Sequence, residues 1–270
     1  MKLLMGRELA GYIKERQTHN VRGLIQSSAI VPKLAIIKTI DNPVIDLYVR
    51  LKKQYAEDVG IAVDIYRLDQ DQVPSLLKKL NTDISVHGII IQLPLQKPEQ
   101  TDDLVNLVNP NKDVDALGEK AIFDPATPMA ILWLLSGFNI DLQGKQVLLI
   151  GQGKLVGRPL YKILKNSDID VISADSSTSN IVQLARSADI IITATGSPAV
   201  LTSDMIKPGA VVVDAGVASE DGKTIGDVSK DVYERQDITI TPEKGGVGPL
   251  TICALFDNVI RAAEKAKNVY

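Results

Sequence analysis

The run Val147-Leu148-Leu149-Ile150-Gly151-Gln152-Gly153-Lys154-Leu155-Val156-Gly157 decides the fold. Four consecutive apolar residues that lead straight into Gly-x-Gly describe a strand buried on both faces, turning without side chains into a helix. A dinucleotide site needs such a turn, because backbone N–H groups at a helix N-terminus must reach the pyrophosphate. The spacing is G-x-G-x-x-x-G, one residue longer than the usual fingerprint, so a tight turn that merely packs against a sheet stays open as a second reading.

Downstream the pattern alternates: a helix over about 156–165, a strand over 171–174, a helix over 181–187 and a strand over 190–194. Further strands read at 211–214 and 238–241, and Pro249 opens a closing helix at its N1 position. The acid expected roughly 20 residues after the turn is Asp175, at the end of the next strand. Its carboxylate suits a ribose 2′-hydroxyl and repels a 2′-phosphate, although a solvated loop acid is an equal reading. Ser176 and Ser177 beside it have no Arg or Lys with them, so the residues lean to NAD over NADP. The candidate cofactor residues are Gly151, Gln152, Gly153, Gly157, Asp175 and Ser176, with Thr195 and Gly196 after the 190–194 strand.

Upstream the same rhythm runs through an amphipathic helix at 7–27, a strand at 34–37 and a helix from Asn42-Pro43 to near Gly60. A strand at 61–66, helices near 72–80 and 102–108, a strand at 88–93 and a helix from Thr127-Pro128 complete it. Strands alternating with helices imply βαβ units and mostly parallel sheets. At about 150 residues per domain, 270 residues give about 1.8 domains. The class is α/β, a Rossmann-like dinucleotide-binding domain plus a second α/β domain.

Composition narrows the function. No run approaches the roughly 18 apolar residues of a membrane helix. With 30 basic and 33 acidic residues, a net charge of −3 and no Lys/Arg cluster, the chain lacks the footprint of a nucleic-acid binder. The single cysteine, Cys253, makes no intramolecular disulfide, and the opening MKLLMGRELAG is too short in apolar residues for a signal peptide, so a cytoplasmic protein is expected. His19 and His87 have no carboxylate or cysteine pattern around them, and Asp113/Asp115 lack a third ligand, so no metal is expected.

Four polar residues in the first half stand out. Tyr48 and Lys52 are four apart, on one face of a helix. Read alone, Lys52 with Lys53 is a solvated basic doublet, and Tyr48 a half-buried packing residue. Gln92 ends an apolar strand, where parallel sheets place ligand sites, although loop backbone is an equal partner for its amide. Asp115, read alone, is a turn or N-cap acid.

Asn42-Pro43 with Tyr48-Val49-x-x-Lys52, Gly88 to Leu95 (GIIIQLPL), Lys112-Asp113-Val114-Asp115, Gly151 to Pro159 and Lys207 to Val213 with Asp214 and Gly216 occur in an order and spacing found in one family. Gly226-Asp227-Val228 and Thr241-Pro242 with Gly245 to Thr251 (GGVGPLT) continue it. The chain resembles, over nearly its whole length, the bifunctional methylenetetrahydrofolate dehydrogenases/methenyltetrahydrofolate cyclohydrolases. The resemblance implies oxidation of 5,10-methylenetetrahydrofolate to the methenyl form with NAD(P)+, then hydrolysis to 10-formyltetrahydrofolate. It implies Lys52, Tyr48, Gln92 and Asp115 as catalytic residues, and Tyr48, Lys52, Asp115, Gly246, Gly248 and Pro249 as folate contacts. It further implies NADP, tetrahydrofolate derivatives as partners, a homodimer, and an active site in a cleft between a folate-facing domain, 1–119 with closing helix 250–270, and a dinucleotide domain, 120–249.

Several positions depart from the family. Ile45 stands where a small polar residue is usual, Ala116 where glycine follows Asp-Val-Asp, and Glu243-Lys244 where Val-Pro is usual. The segment usually read as Pro-Cys-Thr-Pro-x-Gly is Pro125-Ala126-Thr127-Pro128-Met129-Ala130. Gln152 and Asp175-Ser176-Ser177 replace an arginine and a His-Ser-Arg/Lys run, which predicts a weaker NADP preference. Two alternatives are a shikimate-type dehydrogenase with a Lys/Asp pair, which a substrate panel would separate, and a folate- or nucleotide-binding protein with impaired catalysis, which would bind folate without turnover.

Overall fold

The computed structural model describes residues 1–216, 218–220 and 223–267. In chain order the strands and α-helices are β1 (Lys2–Leu3), α1 (Gly6–Ser28), β2 (Lys33–Lys38), α2 (Pro43–Val59), β3 (Ala62–Arg67), α3 (Val73–Thr82), β4 (Gly88–Ile91), α4 (Thr101–Val105), α5 (Ala126–Gly137), β5 (Val147–Ile150) and α6 (Gly157–Asn166). They continue with β6 (Val171–Ala174), α7 (Ile181–Ser187), β7 (Ile190–Thr193), β8 (Val211–Asp214), β9 (Ala218–Glu220), β10 (Lys223–Ile225), β11 (Thr239–Ile240) and α8 (Val247–Lys267).

The chain divides into two compact units, Met1–Ala10 with Thr127–Thr251, and Gly11–Ala126 with Ile252–Tyr270. The first carries a six-stranded sheet ordered β1-β11-β8-β7-β5-β6, every neighbour parallel. The second carries a parallel sheet ordered β3-β2-β4. Both cores are aliphatic, as a chain with 4% aromatic residues requires: Leu148, Ile150, Ile191 and Val212 centre one, and Ala35, Ile37, Ile89 and Ile91 the other. Of the strands that lie between two others, β2, β5 and β7 are buried at nearly every residue, so they read as apolar runs rather than as alternation.

In both sheets one strand lies between the two that follow it in the chain: β2 has β3 and β4 beside it, and β5 has β6 and β7. The chain winds to one side and then to the other, which leaves a crevice at the C-terminal ends where the winding reverses. Ile37–Lys38 and Gln92 stand at that point in one sheet, and Gly151 and Ala194 in the other.

Two boundaries and one strand pair differ from the sequence reading. Residues 1–10 group with the dinucleotide unit, because Lys2 and Leu4 donate to the Ile238 and Ile240 carbonyls (3.1 and 2.8 Å) and set β1 on the edge of its sheet. A two-residue strand has no periodicity to read. The closing helix begins at Val247, not at Pro249, so Pro249 sits in the first turn, where a missing N–H loses no intrahelical bond. Its expected end at 268–270 lies outside the described residues. The antiparallel β9–β10 pair was not anticipated.

Candidate active site

Helix α2 is set by its ends. The Asn42 side chain accepts from the Val44 and Ile45 amides (2.9 and 3.4 Å), Pro43 occupies N1, and Gly60 closes the helix in the left-handed conformation at φ 83°. Ile45, Val49, Ala56 and Val59 bury one face, and Tyr48 and Lys52 lie beside it. Ile45 is 3% exposed and serves as core.

The Lys52 ammonium donates to Gln92 Oε1 at 2.8 Å. The Gln92 amide is oriented for this, since its Nε2 donates to the Leu93 carbonyl (3.2 Å), while its backbone N–H extends the sheet to Ile37 (2.8 Å). Lys52 keeps some surface, but its charged end lies deep, and burial holds its pKa below the usual lysine value against the opposing pull of the Asp115 charge. Asp115 mirrors it: burial raises the carboxyl above the usual range and the Lys52 charge lowers it. Among the described residues, no donor reaches the Asp115 carboxylate. Tyr48 is half-buried, its phenol pushed up by burial, and it makes no hydrogen bond to Lys52.

Asp115 is held by backbone. The loop pairs with β4 through the Ile89–Asp113 bridge, and the Ile89 amide donates to Lys112 O at 2.7 Å. The buried Asp113 carboxylate accepts from the Gly118 and Leu117 amides (2.8 and 3.4 Å), so it is a staple rather than half of a metal site. No group of His, Cys, Asp and Glu fit for a metal occurs among the described residues. Ala116 adopts φ 56°, the left-handed region that the usual glycine favours. From α8, buried Asn258 donates to Val114 O (3.0 Å) and Asp124 O (2.8 Å) and pins the loop from its other side.

In the other unit, Gly151 has φ 109°, and a side chain there would overlap the Ala194 carbonyl. A methyl at Gly157 would overlap Gly151 O, whereas Gly153 has nothing within 4 Å. The turn therefore brings α6 against β5 and leaves open backbone at Gly153, as the pyrophosphate of a dinucleotide requires. Gln152 turns back to its neighbour, its amide donating to Gly151 O (3.2 Å). Asp175 and Ser176 are exposed; the Ser177 hydroxyl and amide bond Asp175 Oδ1 (2.6 and 2.9 Å) and hold that carboxyl below the usual range. Thr195 and Gly196 follow β7, beside the Gly151 turn.

The structure thus gathers Lys52, Gln92 and Asp115 in one unit, and Gly151, Gly157, Thr195 and Gly196 in the other. Gly246 is buried by its own chain: a side chain at Gly6 would overlap Gly246 O, and the Arg7 amide donates to Gly245 O (2.9 Å). Gly248 and Pro249 stand in the first turn of α8. Asp214, Asp227 and Asn258, which bond loop backbone, had no role in the sequence reading. A polar residue inside an apolar helix stretch, as Asn258 is in Ile252–Ile260, is the signal that could have found the last.

One unit with a parallel sheet and a glycine turn at its switch point, and another that holds a half-buried lysine with an amide and a carboxylate, define a nucleotide-dependent α/β enzyme. Family models agree: "Tetrahydrofolate dehydrogenase/cyclohydrolase, catalytic domain" matches residues 4–115, and its "NAD(P)-binding domain" counterpart residues 125–267. The bifunctional protein FolD of Lactobacillus helveticus is 36% identical over 277 aligned positions, which cover 98% of each chain. The crystal structure of the bifunctional FolD methylenetetrahydrofolate dehydrogenase/cyclohydrolase from Campylobacter jejuni superposes with a TM-score of 0.93 at 36% identity, covering 98% of this chain and 99% of that one. That of the Trypanosoma brucei enzyme, complexed with NADP and an inhibitor, gives 0.90 at 29% identity and covers 97% of each. The chain belongs to the tetrahydrofolate dehydrogenase/cyclohydrolase family, and these matches do not favour a shikimate-type enzyme.

Proposed function

We propose that the chain oxidises 5,10-methylenetetrahydrofolate to the methenyl form and hydrolyses that product to 10-formyltetrahydrofolate, with Lys52 as the base of the second step. The observation that carries this is the Lys52–Gln92 contact at 2.8 Å, with burial depressing the lysine pKa. A bound nicotinamide nucleotide supplies the hydride acceptor, and the open backbone at Gly153 and the N-terminus of α6 would hold its pyrophosphate. In the hydrolytic step water oxygen bonds the methenyl carbon, and neutral Lys52 takes the water proton. The new hydroxyl then loses its proton as the formyl C=O forms, the C–N5 bond breaks with its electron pair on N5, and N5 takes up that proton, so the one proton released is the one on Lys52. Gln92 fixes the lysine in place, the unpartnered Asp115 carboxylate accepts the pterin's two N–H groups, and Tyr48 stacks on the flat substrate.

Lys52→Met should reduce methenyltetrahydrofolate hydrolysis about 10²- to 10⁴-fold, with nucleotide affinity within about twofold of wild type. A near-wild-type hydrolysis rate contradicts the role. Folate binding without either turnover in the wild-type protein would favour the binding-only alternative.

The cofactor proposal is a weak preference between NADP and NAD. The Trypanosoma relative carries NADP, but here Gln152 brings no charge, and the exposed Asp175 carboxylate, which Ser177 holds below the usual range, repels a 2′-phosphate. Comparable kcat/KM with both nucleotides is expected, and a strong NADP preference contradicts it. A homodimer in the cytoplasm completes the proposal on the strength of the family. Light scattering checks the dimer and fractionation the location.

A further inference from the structure

The motifs Asp214-x-Gly216 and Gly226-Asp227-Val228 remain without a task in the reaction, yet the structure knots them together behind the nucleotide turn. Asp227 is fully buried. Its Oδ2 accepts the Thr195 amide at 2.6 Å and its Oδ1 the Ser197 amide at 3.1 Å, so one carboxylate clamps both sides of Gly196, which has φ 68°. Asp227 is itself placed by a second carboxylate. Asp214, at the end of β8, accepts the amides of Gly216 (3.0 Å), Asp227 (3.2 Å) and Val228 (3.2 Å) and the Thr193 hydroxyl (3.3 Å). The two glycines make room for it: a side chain at Gly216 would overlap the Asp227 carboxylate, and one at Gly226 that of Asp214. Bonds from backbone N–H to a carboxylate are among the stronger ones available to a loop.

We infer that Asp227 is a positioning residue for the nucleotide, fixing residues 195–197 beside the Gly151 turn through the Thr195 and Ser197 amides. This rests on the reading of Thr195 and Gly196 as part of the nucleotide site. Gly151 passes so close to the Ala194 carbonyl that a shift of the 195–197 backbone changes the edge of the crevice directly. Because the Thr195 and Ser197 amides already serve Asp227, the segment is not an anion nest; it shapes the crevice, while the glycine turn takes the phosphates.

The test is Asp227→Asn, which keeps the size but points an NH₂ group at one of the two amides it must accept. Nucleotide Kd by calorimetry and the nucleotide KM of the dehydrogenase should rise at least about tenfold, near 1.4 kcal/mol. Hydrolysis of methenyltetrahydrofolate, which consumes no nucleotide, should stay within about twofold. Unchanged nucleotide affinity in the folded variant overturns the inference, as does a parallel loss of both activities, which marks a structural residue. Should the variant not fold, Gly216→Ala, which displaces the Asp227 carboxylate with a methyl, is read by the same split. Wild-type protein that binds neither NAD nor NADP would overturn the nucleotide reading itself; wild-type binding matched by Asp227→Asn would sink only the role of Asp227.

Discussion

At the ends of β5 and β7 the chain presents backbone, whereas at the ends of β2 and β4 it presents side chains. The first region is Gly151, Gly153, Gly157 and the clamped turn at Thr195–Ser197, with carboxylates turned inward to hold amides. The second is Lys52, Gln92 and Asp115, ionisable or polar ends brought out of water beside one another. Both occupy the point where the winding of a parallel sheet reverses, so topology supplies the crevice and the local sequence decides what fills it. The difference teaches what each region is sensitive to. Backbone positions fail through shape, by overlap with a neighbouring carbonyl. Buried charges fail through protonation and lost partners.

The comparison breaks first, and with the largest effect, at Gly157→Ala. A methyl overlapping Gly151 O forces the turn off β5, at a cost of about 1–3 kcal/mol. Nucleotide binding, followed by calorimetry, should weaken about 10- to 100-fold with the pH dependence of hydrolysis unchanged. Wild-type affinity in this variant would show that close backbone packing is dispensable there.

On the side-chain half, Gln92→Leu removes the one acceptor that the Lys52 ammonium has among the described residues and should lower hydrolysis about tenfold, given about 1.5–3 kcal/mol for a hydrogen bond to a charged group. Gln92→Glu keeps an acceptor and adds a negative charge. It favours the protonated lysine, so the rise of hydrolysis with pH, which tracks neutral Lys52, should move to higher pH. Equal pH profiles in wild type and Gln92→Glu would contradict a lysine base at this position.

The smallest effect separates function from stability. Ala116 pays for its left-handed φ of 56° in the loop that carries Asp115. Ala116→Gly should raise stability by about 0.5–1 kcal/mol in urea unfolding, since the relief of strain exceeds the entropy gained by the unfolded chain. A loss of stability would mean that the methyl packs usefully.

Much of this was legible in the sequence, for physical reasons that differ along the chain. The buried strands β2, β4, β5 and β7 are apolar runs bounded by turn residues, and the α2 limits follow from Asn42-Pro43 and Gly60. Lys52 was not legible from its own surroundings, because a Lys-Lys doublet on a helix is ordinarily solvated; its context in the family motif and Gln92 across the sheet give it meaning. Asp227 acts on backbone about 30 residues away, and nothing local announces such an amide–carboxylate bond, whereas Asn258 shows only as a polar residue in an apolar helix stretch. Gly246 is expected from the resemblance as a folate contact, and what the structure adds is its close packing with Gly6, which no local pattern announces.

The central claim is that Lys52 is a buried amine whose protonation is set by burial against Asp115. Direct titration of the Lys52 amine by nitrogen NMR, in wild type and Asp115→Asn, tests it. The account predicts a wild-type pKa below the ordinary lysine value of 10.5 and a lower one in Asp115→Asn, because the charge that opposes burial is gone. A wild-type pKa at or above 10.5, or one that Asp115→Asn leaves in place, would contradict it.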